Sequence, residues 1–154
     1  MVRALLGAGV AAVDVAGAGG TSWSEVEKHR ISDPRRRRVA SLFSSWGIPT
    51  AAALVAARRA APNAVLIASG GIADGIDAAK ALALGADLVG MAGPFLRAAA
   101  EGAARAHDAA FEVVEALRIS MFATGIGSLD ELRGTLRLVD TSDPAGWSRA
   151  MDGL

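Results

Sequence analysis

Three short apolar runs, each followed at once by glycines, constrain the fold of this chain more than any other feature. Residues 11–16 (AAVDVA), 65–69 (VLIAS) and 88–92 (LVGMA) are nearly continuous in apolar side chains rather than alternating with polar ones. Such runs are typical of parallel strands that are buried on both faces of a sheet. Helical stretches separate and follow them, which indicates βα units with right-handed crossovers. The sequence therefore predicts an α/β fold with a parallel sheet.

The helices are marked by the residues at their ends. Asp74, with Asp77 three residues later, is typical of a helix start, and Gly85 is typical of a helix stop. Ser128, with Glu131 three residues later, marks another start. Helices are predicted over residues 24–29, 50–59 and 75–84, from residue 94 onward, and over 128–138. The arginine run at 35–38 is predicted to lie in a solvated loop.

Glycine-rich turns end two consecutive predicted strands, at Gly70-Gly71 and at Ala92-Gly93. Glycine lets backbone N–H groups approach an anion closely, and a helix N-terminus adds a favourable dipole. Because the carboxyl ends of parallel strands meet at one edge, the two turns predict one shared phosphate-binding cup. The alternative is that these glycines only satisfy the backbone angles of tight turns. Thr21 ends a third turn and either adds its hydroxyl to this site or belongs to a helix cap.

Charge and composition exclude several classes of function. Sixteen basic and sixteen acidic residues cancel, so no net field directs the chain to nucleic acid or to an anionic membrane. The absence of cysteine excludes iron–sulfur clusters and thiol catalysis. His29 and His107 lie among charged residues and alanines, without the spacing of a metal site. We expect a cytoplasmic protein without a membrane span or a metal site of its own, and no catalytic residue is indicated.

A few single residues allow specific expectations. Asp14 interrupts an apolar strand, where a carboxylate needs a partner, so it either points towards the site or bonds the next loop. Trp23 and Trp46 are predicted to pack in the core, with the wall of a cofactor site as the alternative. Three residues at helical spacing are predicted to face the core: Phe111, Leu117 and Met121.

Blocks of sequence, in one order along almost the whole chain, resemble the signature of the type 2 isopentenyl-diphosphate isomerases. The blocks around Trp23 and Trp46 are the most specific of them. The SGG and GAD segments are shared with other FMN-dependent barrel enzymes. The blocks are residues 14–23 (DVAGAGGTSW), 43–51 (FSSWGIPTA), 67–72 (IASGGI), 75–86 (GIDAAKALALGA), 90–96 (GMAGPFL) and 117–132.

This resemblance implies a TIM (β/α)8 barrel enzyme that interconverts isopentenyl and dimethylallyl diphosphate. It implies reduced FMN as the acid/base group, NADPH as reductant, Mg²⁺, and an isoprenyl diphosphate as the substrate partner. Ala73 stands where the family usually has an arginine. The residues that the resemblance assigns to FMN binding are Thr21, Gly70, Gly71, Ala92 and Gly93.

The length of the chain is too short for a closed barrel. Such a barrel needs roughly 250 residues, whereas this chain has 154. We therefore expect an incomplete barrel, with residues 1–140 forming its C-terminal half (strands 6–8) and residues 141–154 forming a polar tail. An uncovered strand edge and sheet face predict a homo-oligomer or a complex with a separate N-terminal half.

The family's motifs for diphosphate and Mg²⁺ have no counterpart in these residues, so we expect the chain to be inactive alone. Two other interpretations stay open at this point. The chain could be part of an FMN-dependent 2-hydroxy-acid dehydrogenase or oxidase barrel. It could also be a non-catalytic remnant that binds flavin or phosphate.

Overall fold

The three predicted strands form one parallel sheet in the computed structural model, which describes residues 1–135. The strands follow one another across the sheet in chain order, and Val13 lies opposite Leu66. The predicted α/β fold with a parallel sheet is confirmed, and the sheet is not closed into a barrel within the described residues. The strands are β1 (Ala12–Asp14), β2 (Val65–Ala68) and β3 (Leu88–Val89).

Most of the helices lie where the sequence predicts them. Asp74 caps one as predicted, because its Oδ1 accepts the N–H groups of Ile76 and Asp77, each at 2.9 Å. Gly85 follows with a positive φ of 103°, which a side chain would disfavour. The helices of the described residues are α1 (Val2–Gly7), α2 (Trp23–Lys28), α3 (Pro34–Leu42), α4 (Thr50–Ala60), α5 (Gly75–Ala83), α6 (Gly93–Glu101), α7 (Ala103–Ala123) and α8 (Leu129–Leu132).

Two helix predictions are wrong in their extent. The long stretch after residue 94 divides into α6 and α7, because Gly102 has a φ of 129° and interrupts the helix. Ser128 caps α8 as predicted, accepting the N–H of Glu131 at 3.2 Å. The helix then ends at Leu132 rather than at residue 138, and residues 136–138 lie outside the described part of the chain.

The arginine run at 35–38 is helical, so the predicted loop is wrong. Asp33 accepts the N–H of Arg35 at 2.8 Å, and Pro34 occupies the first position of α3, where its missing N–H has no cost. The arginine side chains are exposed, as expected for a solvated surface. The signal for this helix was therefore present in the sequence, in the pair Asp33-Pro34.

The main core lies between the sheet and the helices that follow its strands. Leu54 of α4 and Leu66 of β2 are fully buried at its centre. A second cluster joins α5 to the end of α7 and to α8, and Leu117 and Met121 pack against it as predicted. Phe111 is 62% exposed, so its predicted place in the core is wrong. Burying these aliphatic side chains removes apolar surface from water and stabilises the fold.

Large apolar side chains remain exposed near both edges of the sheet. Trp23 and Trp46 are 75% and 80% exposed, so the prediction that they pack in the core is wrong. The ring of Trp46 makes an edge-to-face contact with that of Phe43, with ring centres 5.8 Å apart. No helix within residues 1–135 is long and apolar enough to cross a membrane. The predicted tail at 141–154 lies outside the described residues.

Candidate functional site

The loops that follow β1 and β2 touch each other backbone to backbone. We call residues 16–21 the β1 loop and residues 69–72 the β2 turn. The Gly17 N–H donates to the carbonyl of Ser69 at 3.0 Å. A Cβ atom on Gly70 would lie 2.0 Å from the Gly17 oxygen, and one on Gly71 would lie 2.4 Å from the Gly19 oxygen. Gly70 and Gly71 therefore have to be glycine for steric reasons, because a side chain at either position would clash with the backbone of the β1 loop.

Several backbone donors at this end of the sheet have no acceptor. Among residues 1–135, no atom accepts the N–H groups of Gly70, Gly71 or Ile72, or that of Gly93, the first residue of α6. Gly70 and Gly93 follow the adjacent parallel strands β2 and β3. Free amide donors next to a helix N-terminus are the groups that bind a phosphate. The chemistry of these donors therefore suits a phosphate group.

The β1 loop, which ends at Thr21, lies against the β2 turn. A Cβ atom on Gly20, the residue before it, would be only 2.9 Å from the Gly71 nitrogen. The Thr21 side chain is exposed, and its hydroxyl makes no hydrogen bond within the described residues. The structure thus brings Gly20, the residue before Thr21, against the β2 turn. The binding of FMN by the Thr21 hydroxyl stays a prediction.

Arg97 is a candidate residue that the sequence analysis missed. Its Nη1 atom lies 3.3 Å from the position that a Cβ atom on Gly93 would take. The guanidinium makes no hydrogen bond or ion pair with the described residues. Arg97 follows Gly93 by four residues, and residues at this spacing share one face of a helix. The four-residue spacing between Gly93 and Arg97 was therefore the sequence feature that could have indicated Arg97.

The Asp14 carboxylate accepts a hydrogen bond from the β2 turn, as in the second of the two interpretations given for it. Its Oδ1 accepts the Ser69 hydroxyl at 2.7 Å and the Ala16 N–H at 3.0 Å. Ala16 has a φ of 39°, a left-handed conformation that is costly for a residue other than glycine. The carboxylate of Asp14 thus stabilises the start of the β1 loop and links it to the β2 turn.

Thr50 joins the same two loops from the start of α4. Its Oγ1 lies 2.5 Å from the carbonyl oxygen of Gly70, 3.3 Å from that of Ser69 and 3.4 Å from that of Ala18. A hydroxyl has one proton, so it donates mainly to the nearest carbonyl, that of Gly70. This contact spans twenty residues of sequence, and no local pattern in the sequence indicated it.

A large cleft lies along the edge of β1. Its volume is about 1440 Å³, and Trp23 and Trp46 line it together with α1, the β1 loop and one side of α4. Thr21 lines it too, but Gly71 and Gly93 do not. The cleft therefore follows the edge of β1, which has no partner strand within residues 1–135, and Trp23 and Trp46 form part of its wall.

At the opposite ends of the strands, Asp87 connects three elements. Its Oδ2 accepts the Leu66 N–H at 2.8 Å and Nη2 of Arg58 at 2.7 Å, and Arg133 lies 3.4 Å from Oδ1. Burial of the carboxyl raises the pKa of Asp87, but these hydrogen bonds and cationic charges lower it by more. The pKa therefore lies below the ordinary value of 3.8. In barrel folds, interactions at this end contribute to stability rather than to ligand binding.

Within residues 1–135, no group of three His, Asp or Glu side chains lies close enough together to hold a metal ion.

The comparisons with known proteins agree with the geometry. Residues 2–138 match the family model described as FMN-dependent dehydrogenase. A relative from Stutzerimonas stutzeri named isopentenyl-diphosphate delta-isomerase is 55% identical over 134 residues, covering 86% of this chain and 38% of the relative. Relatives with the same name from Ignicoccus hospitalis and Oceanobacillus iheyensis are 48% and 45% identical, covering 86% and 90% of this chain and 38% and 40% of their own length.

The chain thus spans about two fifths of the length of the curated relatives it matches. The resemblance to isopentenyl-diphosphate isomerases is confirmed by these matches. The match to the family model covers most of the chain, including the β1 loop, the β2 turn and the start of α6. The chain belongs to the FMN-dependent dehydrogenase family.

Proposed function

We propose that residues 1–140 are the C-terminal part, strands 6–8, of a cytoplasmic type 2 isopentenyl-diphosphate isomerase, and that they bind the phosphate of its FMN. One observation carries this proposal. Within residues 1–135 the N–H groups of Gly70, Gly71 and Gly93 have no acceptor, and they follow adjacent parallel strands of a chain that belongs to an FMN-dependent family. The names of the relatives support the choice of reaction.

The phosphate would be bound mainly by backbone groups. The amide donors of the β2 turn and the N-terminus of α6 supply partial positive charge. Arg97 adds a full positive charge beside Gly93. The free hydroxyl of Thr21 donates to the phosphate or to the polyol chain of the cofactor. Because the site consists largely of backbone donors, it needs no excess of basic residues in the chain.

When bound, reduced FMN would supply the acid/base group for the interconversion of isopentenyl and dimethylallyl diphosphate, a proton transfer without net redox change. This chain's part is to bind and orient the cofactor through its phosphate. NADPH as reductant and Mg²⁺ belong to the proposal for the whole enzyme, and we assign no described residue to either. The isoprenyl diphosphate would be held outside the described residues as well, so we propose that the chain does not turn over alone.

The partner we propose is the N-terminal half of the barrel. β1 has an unpaired edge within the described residues, and the cleft beside it exposes Trp23 and Trp46. A further parallel strand would pair with that edge and cover the apolar side chains. The relatives are about two and a half times as long as the region they share with this chain, which is enough for the missing strands.

Light scattering of the purified chain, before and after addition of an N-terminal half from a relative, tests this partner. A heterodimer supports the proposal. A homo-oligomer that does not bind the added half would indicate that a second copy of this chain is the partner instead. A monomer that does not bind the added half would refute both the heterodimer and the homo-oligomer.

The cofactor proposal is tested by comparing FMN with riboflavin, which lacks the phosphate. Flavin fluorescence and retention on desalting should show binding of FMN at least tenfold tighter than that of riboflavin. The change Arg97→Gln should weaken FMN binding several-fold and leave riboflavin unchanged. Arg36→Gln is the matched control, since Arg36 is exposed on α3 and belongs to neither the β2 turn nor α6. No retention of FMN, or equal affinity for both flavins, would refute phosphate binding by this chain.

Activity measurements on the complex with the N-terminal half distinguish the remaining functions. Conversion of isopentenyl diphosphate supports the proposal. Oxidation of 2-hydroxy acids instead would support the dehydrogenase interpretation, for which the name of the family model is the one specific observation. FMN binding without either reaction would support the non-catalytic remnant.

A further inference from the structure

We infer that Thr50 is a positioning residue for the phosphate site, acting through the peptide bond between Gly70 and Gly71. This inference rests on the proposed function, and it adds a residue that does not itself touch the cofactor. The Thr50 hydroxyl donates to the Gly70 carbonyl at 2.5 Å. Gly71 carries one of the free N–H groups proposed to bind phosphate.

The planar peptide connects these two observations. The carbonyl of Gly70 and the N–H of Gly71 belong to one rigid trans peptide unit, in which they point in opposite directions. Holding the oxygen towards Thr50 therefore turns the N–H away from Thr50. Glycine on both sides of the bond leaves this unit unusually free to rotate, because no Cβ atom restricts it. An external hydrogen bond is then needed to keep the donor in one direction.

Thr50 is itself held in place by backbone bonds to the β1 loop. Its N–H donates to the Ala18 carbonyl at 3.2 Å, and the Ala18 N–H donates to the Ile48 carbonyl at 2.8 Å. These bonds form a short parallel bridge between Ala18 and Pro49. The backbone that carries the Thr50 side chain is therefore held in place, and this restricts the position of the hydroxyl.

The surrounding contacts leave little room for another arrangement. A Cβ atom on Gly17 would lie 2.3 Å from the Thr50 Cα, so the β1 loop passes directly over the start of α4. The same loop lies against the β2 turn, through the bond from Gly17 to Ser69. Thr50 thus stands where three backbone segments meet, and its hydroxyl is the group that reaches the phosphate-binding peptide.

The test compares Thr50→Val, which keeps the shape but removes the hydroxyl, with Thr50→Ser, which keeps the hydroxyl. Flavin fluorescence gives the affinity of each full-length variant for FMN and for riboflavin. We expect Thr50→Val to weaken FMN binding about tenfold, the effect of losing one well-oriented hydrogen bond, and to change riboflavin binding less than twofold. Thr50→Ser should restore the wild-type ratio. Thr50→Ala replaces Thr50→Val if the latter does not fold.

Asp87→Asn is the control for a general loss of stability. It weakens the same sheet from the opposite strand ends, so it should leave the ratio of FMN to riboflavin affinity unchanged. A wild-type ratio in Thr50→Val or Thr50→Ala, or a reduced ratio in Thr50→Ser, would overturn the inference. A ratio reduced equally in Asp87→Asn would show that Thr50 acts only through stability, and would overturn it too.

Amide hydrogen exchange tests Thr50 without flavin. The Gly17 N–H, bonded to Ser69, should exchange about tenfold faster in Thr50→Val than in wild type or in Thr50→Ser. The Leu66 N–H, bonded to Asp87 at the other strand ends, should not change. If wild-type protein binds no FMN, the proposed function fails, while unchanged Gly17 exchange would overturn the role of Thr50 on its own.

Discussion

Replacing Asp87 by asparagine should destabilise the chain by about 2 kcal/mol at neutral pH. The carboxylate accepts a backbone N–H and a guanidinium through Oδ2 and faces a second guanidinium through Oδ1. Asparagine keeps one oxygen for the Leu66 N–H but loses the charge opposite Arg58 and Arg133. Hydrogen bonds to charged groups are worth roughly 1.5–3 kcal/mol, and the 22% exposure of the Asp87 side chain places the effect near the middle of that range.

The pH dependence of this loss has a definite sign. The pKa of Asp87 is lower in the folded chain than its ordinary value of 3.8, so ionisation of the carboxyl favours the folded state. The stability that it contributes is complete above the unfolded pKa and is lost as the pH falls through the folded pKa. The difference between wild type and Asp87→Asn should therefore be constant from pH 7 to about pH 5 and should shrink below about pH 4.

Urea unfolding followed by circular dichroism measures this difference, which corresponds to a fall of about 1 M in the midpoint. Asp130→Asn is the matched control, because Asp130 also faces Arg133, at 3.5 Å, but its side chain is 89% exposed. That control should cost less than about 0.5 kcal/mol. Equal effects of the two changes at pH 7, or a difference that grows in acid, would refute the reasoning.

Two other substitutions test the packing described above, each by urea unfolding against a matched control. Gly71→Ala should cost more than about 2 kcal/mol, since it adds a clash to a φ of 82°, whereas Gly9→Ala, with a φ of 88° and open space, should cost about 1 kcal/mol. Equal losses would show that no close approach constrains the β2 turn. Leu66→Ala should cost about 2–5 kcal/mol, because the side chain is fully buried, and Leu42→Ala, 77% exposed, less than about 0.5 kcal/mol. A small effect at Leu66 would contradict the core as described.

The elements of the sheet could be predicted because their signals are local. Apolar runs that end in glycine place β1, β2 and β3, and the capping side chains of Asp74 and Ser128 mark where helices begin. The break at Gly102 could not be separated from an ordinary helical glycine, because its φ of 129° is set by how α6 and α7 pack together.

The exposure of single aromatic residues could not be predicted. A helical spacing shows that Phe111 shares a face with its neighbours, but it does not show what covers that face. Trp23 and Trp46 are apolar enough for a core, and within the described residues the β1 edge beside them has no partner strand. Burial depends on the whole assembly, and the sequence of one chain contains only part of that information.

The sequence indicated only part of the candidate site. The rule that parallel strands end at one edge predicts that the β1 loop and the β2 turn come together, and in the structure Gly20 lies against Gly71. Thr50 joins the site through contacts with segments 20 and 32 residues away. Such contacts follow from tertiary packing, and a pattern in one sequence does not indicate them.

The order of strands across the sheet also bears on how the chain folds. Within residues 1–135 each strand pairs only with the strand next to it in sequence, and the connection from β2 to β3 is shorter than that from β1 to β2 by a factor of about 2.6. Loop-closure entropy then favours the β2–β3 pair by roughly 0.8 kcal/mol. The unit of β2, α5 and β3 is therefore expected to form first, with β1 added to its edge afterwards, so that the β2 turn would be in place before the β1 loop packs against it.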